Sequence, residues 1–303
     1  MQLSVVVPTL NGREELHASL DALAAHVPDA EVVVVNGPSA DGTTGMVRER
    51  SDVDVLVEIS ERNINVARNA GIEVATGDVI ALVSYDLVVE PTWYDGLTQA
   101  IDDGASVVTG PTHRTVRAGM TTEEKEAVSI AGHDVTYFNG DNVAFSRDAL
   151  SDMDGFDEYL QTGGARDGAH RLAQLRHEVA WQSEMCVRGE FETDGGHTVR
   201  DWEWKYRSLV YRMVKNYGVR PTVAGRALRD AVFDGARSLK GVVTGHERPS
   251  SWLGGGRSVA KGMVLGAKDG LAARKADRTL RRNPNGISTR QDRAVCRYEL
   301  AEK

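Results

Sequence analysis

The sequence predicts an α/β fold, a doubly wound and mostly parallel sheet followed by a helical appendage. Three observations predict it. Short apolar runs at residues 3–7, 32–35 and 79–83 recur with helix-length segments between them, the alternation that builds parallel sheets. Each run is continuous rather than alternating, which suits strands buried on both faces. Each ends in polar, turn-forming residues: Pro8-Thr9-Leu10-Asn11-Gly12, Asn36-Gly37-Pro38-Ser39-Ala40-Asp41-Gly42 and Ser84-Tyr85-Asp86. In open α/β sheets ligands bind outside the carboxyl ends of the strands, so the three endings are expected around one small molecule.

After the first run, Leu16, Leu20, Leu23 and Ala24 form one helical stripe, which Pro28-Asp29 ends. The Asp41-Gly42-Thr43 turn opens a short helix, residues 53–59 read as a strand, and 66–74 as a helix entered at Asn65. Glu90-Pro91 starts a helix through Leu97 and Ile101, residues 105–109 read as a strand, and 134–145 as a strand around a turn. Residues 148–196 mix short helices with many glycines, the texture of loops that build substrate sites. The domain change is expected near residue 200, dividing a body of residues 1–200 from an appendage of 201–303. There Trp202, Trp204, Tyr206, Tyr211 and Tyr217 interleave with Lys205, Arg207, Arg212 and Lys215. Apolar positions 228, 232, 239 and 243 suit an amphipathic helix, and Gly262, Gly266 and Gly270, four apart, suit close helix contact.

Charge divides along the same line. Residues 1–199 hold 13 Lys and Arg against 34 Asp and Glu, whereas 200–303 hold 23 against 10. An acidic body argues against nucleic-acid binding. The basic appendage suits either an anionic membrane surface or the acidic body itself. Two cysteines, Cys186 and Cys296, are too few for a disulfide framework or a zinc cluster and are expected to be structural bystanders. With no signal-peptide pattern after Met1 and no apolar stretch of membrane-spanning length, the expected location is cytoplasmic, with peripheral contact at the inner face of the plasma membrane through residues 201–303. No Gly-x-Gly-x-x-Gly follows a strand and no Gly-x-x-x-x-Gly-Lys loop occurs, which excludes the usual dinucleotide and P-loop sites. A nucleotidyltransferase would need a glycine-rich basic loop after the first strand, and Thr9-Leu10-Asn11-Gly12 is not one.

Residues 4–11, 36–43, Val66-Ala67-Arg68-Asn69-Ala70-Gly71 and Thr76-Gly77-Asp78 through Asp86, in this order, resemble the inverting nucleotide-sugar glycosyltransferases of family 2, and the resemblance covers roughly the first 200 residues. It implies a GT-A fold, a nucleoside-diphosphate sugar donor and a divalent cofactor, Mg²⁺ or Mn²⁺. It implies nucleotide contacts at Pro8, Thr9, Asn11, Asn36, Asp41, Asn65, Arg68 and Asn69. The family's Asp-x-Asp becomes Ser84-Tyr85-Asp86, leaving Asp86 as the metal carboxylate, with His197 as a further ligand. Magnesium and manganese take oxygen ligands and often bind through one or two carboxylates plus substrate phosphates.

Asp141, Asn142, Arg166 and Arg171 are expected against donor sugar or acceptor, and Asp167 as the base that deprotonates the acceptor hydroxyl. Arg166, beside Asp167 in sequence, is expected to lower its pKa. The implied acceptor is a glycan or a polyprenyl-phosphate-linked group, in cell-surface or glycoprotein glycan assembly. A non-catalytic protein that binds nucleotide sugar or partners a glycosyltransferase is the alternative, motivated by Ser84 and Arg166 standing where the family has acids.

Overall fold

The computed structural model describes residues 1–116, 119–189, 201–243 and 249–300. In chain order the elements are β1 (Leu3–Thr9), α1 (Arg13–His26), β2 (Glu31–Asn36), α2 (Thr43–Arg48), β3 (Val55–Ile59), α3 (Ile64–Val74), β4 (Val79–Val83), β5 (Val88–Val89), α4 (Trp93–Asp102), β6 (Val107–Thr109), β7 (Thr112–Val116) and β8 (Gly119–Thr122). They continue with β9 (Ala127–Ile130), β10 (His133–Thr136), β11 (Asn142–Ser146), α5 (Arg147–Met153), α6 (Gly164–Leu175), β12 (Val179–Trp181), β13 (Val187–Gly189), α7 (Trp202–Tyr217), α8 (Pro221–Val243), α9 (Pro249–Ala276) and β14 (Ala294–Glu299).

Eight strands form the central sheet in the order β12-β6-β11-β4-β1-β2-β3-β14, and β5-β13-β7-β8 form a smaller one. The β1–β2, β1–β4, β2–β3 and β6–β12 pairs are parallel. Parallel strands need covered faces, and the apolar runs supply side chains to both. Val5 and Val7 enter one core with Leu16, Leu20 and Leu23 of α1 and Trp93 and Leu97 of α4. Val6 enters the other with Val66 and Ala70 of α3 and Phe145, Phe156 and Leu172. The crossover order carries the carboxyl ends of β1, β2 and β4 to one rim.

Two compact units divide the chain: residues 1–128, 134–194 and 285–303 in the first, and 129–133 and 195–284 in the second. The expected boundary near 200 thus needs a correction at the far end, because residues 285–303 return to the first unit. β14 adds antiparallel to β3, extending the sheet by one strand. Arg290 pairs with Glu61 at 2.6 Å and Glu158 at 2.9 Å, while Arg293 pairs with Glu73 at 2.7 Å and also with Glu158. Part of the charge division is therefore an internal attraction: basic residues of the C-terminal segment close on acids of the body.

In the second unit the glycines spaced four apart in α9 admit the α7 backbone. A Cβ at Gly262 would stand 2.3 Å from the Glu203 carbonyl oxygen, at Gly266 2.4 Å from that of Arg207, and at Gly270 2.7 Å from that of Tyr211. Arg207–Asp269 at 2.7 Å and Lys261–Glu203 at 2.9 Å flank this seam. On α8, Leu228, Val232, Phe233 and Leu239 are exposed. No helix among the described residues is long and apolar enough to cross a membrane.

Candidate active site

The first two strand endings fold into one another. Asn11, with φ +51°, accepts the Ala40 amide at 2.8 Å, and its own amide donates to Ser39 Oγ at 2.8 Å. Asparagine tolerates this left-handed backbone better than most residues. Asp41 accepts the Arg13 amide at 3.0 Å, the Thr43 amide at 3.1 Å and the Thr43 hydroxyl at 2.5 Å. Partial burial works against its charge, but the Thr43 hydroxyl and the two amides outweigh this and hold the carboxyl below its ordinary range.

Asn36 is buried, donating from Nδ2 to Thr44 Oγ1 at 2.9 Å and accepting the Ser39 hydroxyl at 2.7 Å. Its amide group, expected at the base, shapes the loop here.

A cavity of about 130 Å³ opens beside these loops, lined by Pro8, Thr9, Gly37, Arg62, Asn63 and Tyr85 among others. Thr9 Oγ1 is buried there without a hydrogen-bond partner. A buried orphan hydroxyl is costly unless something completes it. Tyr85 reaches the site by lying over Gly12, where a Cβ would come within 2.1 Å of its ring. Burial first, and the adjacent Asp86 charge second, push the Tyr85 phenol up, so it stays a donor at neutral pH.

At the end of β4, Asp86 Oδ1 accepts the Ser84 hydroxyl at 2.5 Å, and Oδ2 lies 3.6 Å from Arg114 Nη1. The Ser84 amide donates to the Asp141 carbonyl at 3.1 Å, which docks the loop before β11 against the same rim. Asp141 is partly exposed and its carboxylate receives Arg68 Nη2 at 2.9 Å. Asp141 and Arg114 also line a second cavity of about 350 Å³ with Glu123, Asn139, Thr112 and Thr122. Carboxylate and hydroxyl oxygens at the β4 end suit a hard divalent cation completed by substrate phosphates. Arg114 was not anticipated. The turn from β6 into the small sheet brings it here, and nothing in its local sequence marks it.

The α3 residues turn inward. Asn65 Nδ2 donates to the Leu160 carbonyl at 2.6 Å, and Asn69 donates to the Phe156 carbonyl at 2.9 Å and Glu158 Oε1 at 2.7 Å while accepting the Phe156 amide at 2.8 Å. Both are fully buried. They fasten residues 156–160 to α3, so the side chains expected at the nucleotide bond to protein here. Arg68 spans the two roles: it holds Asn65, the Gly140 carbonyl and Asp141, while its buried Nε lacks a partner. Burial pulls its guanidinium down and Asp141 opposes that pull.

The acceptor-side expectations change most. Asp167 and Arg171 are fully buried and paired at 2.9 Å, and Arg171 also donates to the Met153 and Gly155 carbonyls. This pair staples α6 to the end of α5 and the turn after it, and in the structure neither side chain of the expected base and sugar contact is exposed. Arg166 does not serve Asp167. It forms a two-point bond with Glu126, at 2.9 and 2.6 Å, and stacks 4.3 Å over the Tyr137 ring. Asn142 is spent on the Trp93 indole at 2.9 Å and the Met185 carbonyl at 2.8 Å, a core role rather than a sugar contact. His197 lies outside the described residues.

The sequence model described as glycosyl transferase family 2 matches residues 4–152, the stretch that carries all three strand endings and the Asp141 loop. Residues 4–152 carry the family 2 glycosyltransferase sequence. Among curated relatives, glycosyltransferase AglE of Haloferax volcanii is 27% identical over 60% of this chain and 65% of its own. The glucosyl-dolichyl phosphate glucuronosyltransferase of the same organism is 25% identical over 62% and 63%. The chain thus spans less than two thirds of either relative's length. Mannosyltransferase PcManGT from Pyrobaculum calidifontis, solved with GDP-Man and Mn²⁺, aligns over 89% of this chain and 87% of its own with a TM-score of 0.56 at 18% identity. At that identity the likeness is one of fold, and the chain shares the GT-A architecture.

Proposed function

We propose that this protein transfers a glycosyl group, with inversion, from a nucleoside-diphosphate sugar to an acceptor hydroxyl or polyprenyl-phosphate-linked group, using Mg²⁺ or Mn²⁺. The observation that carries the reading is the buried, unpartnered Thr9 hydroxyl in the wall of a cavity at the end of β1, on the sheet rim that also carries the Asp86–Arg114 pair after β4. Pro8, Thr9 and Tyr85 would enclose the nucleoside, and Asn11 and Asp41 hold the loop beside it. Asp86 would hold the cation, with the Ser84 hydroxyl fixing its carboxylate. The cation, when bound, would neutralise charge on the departing diphosphate. Arg114 and Arg68 would add positive charge as the leaving group forms.

With Asp167 locked in the core, the base is reassigned. Asp141 borders the second cavity, is ionically held by Arg68, and is open enough to meet a bound acceptor. We assign it to remove the acceptor proton as the anomeric carbon is attacked from the face opposite the diphosphate. The two α7–α9 glycine-seam helices and the exposed apolar residues of α8, set among Arg226, Arg229, Arg237 and Lys240, support peripheral attachment to an anionic membrane. The dolichyl-phosphate substrate in one relative's name is consistent with a lipid-linked acceptor here.

A thermal-shift screen of nucleotide sugars with and without Mn²⁺, followed by product analysis with the hits, tests the reading. A Mn²⁺-dependent shift with turnover is expected, and no shift with any common donor would remove the proposal. Burial of Asp167, which leaves α6 without an open carboxylate, favours a second reading as a donor-binding protein without turnover. Donor binding with no transfer or hydrolysis would select it.

A further inference from the structure

A second metal centre is suggested on the small sheet, built from residues that neither the donor rim nor the acceptor cavity uses. Glu90 follows β5, His113 lies on β7, and Cys186 precedes β13, the strand between them. One ligand atom from each, a carboxylate oxygen, an imidazole nitrogen and the thiol sulfur, lies within 4.8 Å of the others. The backbone already couples two of them, since the Glu90 amide donates to the Cys186 carbonyl at 3.1 Å. Zinc sits about 2.0–2.3 Å from each ligand, so donors this close need only small side-chain rotations to share one ion.

The second observation is orientation. His113 Nδ1 lies 2.9 Å from Thr122 Oγ1, and in the tautomer where Nδ1–H donates to that hydroxyl, Nε2 is the nitrogen that can ligate. A hydrogen bond to the non-ligating nitrogen is how metal-bound histidines are usually fixed. The Cys186 thiol donates to the Ser183 carbonyl at 2.9 Å, so its sulfur is held in place while its hydrogen remains removable. Sulfur, nitrogen and carboxylate together select zinc over the magnesium or manganese expected at Asp86, because hard cations avoid thiolate.

We propose that Glu90, His113 and Cys186 bind one Zn²⁺, with a water as fourth ligand. Binding replaces the thiol S–H by a Zn–S bond and releases that proton to solvent. The ion ties together three of the four strands of the small sheet. Arg114, next to His113 in β7, is the residue that meets Asp86, so the tie also steadies the rim of the donor site.

The test uses the untagged full chain, stripped of metal and titrated with Co²⁺. A saturable thiolate-to-cobalt charge-transfer band at one ion per chain is expected, displaced by Zn²⁺ and retained in Asp86→Asn. Cys186→Ser should abolish the band. His113→Ala and Glu90→Gln should each weaken binding at least about tenfold, and Thr122→Val, which touches no metal, roughly tenfold through loss of the imidazole's support. A wild-type chain without the band overturns the proposal whatever the variants do. So does a band unchanged in Cys186→Ser, or affinity unchanged in both His113→Ala and Glu90→Gln.

Discussion

Two aspartates in this molecule each face an arginine, and they differ in nearly everything else. Asp86 meets Arg114 at 3.6 Å at the end of β4, with both side chains about a third exposed, at 30% and 38%. Asp167 meets Arg171 at 2.9 Å one helical turn away, with both at 0%. The first pair is loose enough to exchange its partner for a cation or a phosphate. The second is closed on every side, because Arg171 also holds two backbone carbonyls. A carboxylate in a suggestive motif becomes a ligand or a staple according to its burial, which its neighbours in sequence do not state.

The strongest way to break the comparison is Asp167→Asn. Removing one partner of a buried ion pair leaves an uncompensated charge, so a loss of about 3–5 kcal/mol in urea unfolding is expected. If stability is unchanged and only transfer is lost, Asp167 is the base after all. Asp86→Asn should do the reverse. Turnover should fall on the order of 10²–10³-fold, as when a preorganised electrostatic contact is lost, with stability changing by less than about 0.5 kcal/mol. Paired urea melts and product assays read both effects.

Gly12→Ala sharpens the comparison by disturbing the open site indirectly. The new methyl must displace the Tyr85 ring from beside the nucleoside cavity. Donor affinity should weaken roughly tenfold, about 1.4 kcal/mol, in a titration calorimeter. Arg114→Ala, which removes a pair about a third exposed, should likewise cost only about 0–1 kcal/mol. A larger change in its thermal midpoint would mean that the β4 end is as structural as α6.

Much of this architecture was legible because apolar runs and helical stripes are local. The strand ends at Thr9, Asn36 and Val83 follow from residues within a few positions, as does the glycine seam of α9. β14 was not legible. Its side chains are largely exposed, and it enters the sheet only because β3 offers an open edge and Arg290 and Arg293 find acids more than a hundred residues away. The small sheet was hidden for a similar reason, since its strands are two to five residues long and paired across the chain. At the site, the position of Thr9 and Asp86 at the ends of strands is legible in the sequence. The inward packing of Asn65 and Asn69 is not, because an asparagine on a helix looks the same whether it faces a ligand or a neighbouring loop. Their bonds to the Leu160 and Phe156 carbonyls exist only in the fold.

On the proposed function the end of β4, and not α6, carries the donor chemistry. Calorimetric titration of nucleoside diphosphates into the full chain, with and without Mn²⁺, tests it most directly when wild type, Asp86→Asn and folded Asp167→Asn are compared. Mn²⁺-dependent binding that weakens at least about tenfold in Asp86→Asn and persists in Asp167→Asn is expected. Binding that ignores Mn²⁺, or that survives Asp86→Asn unchanged, would contradict it.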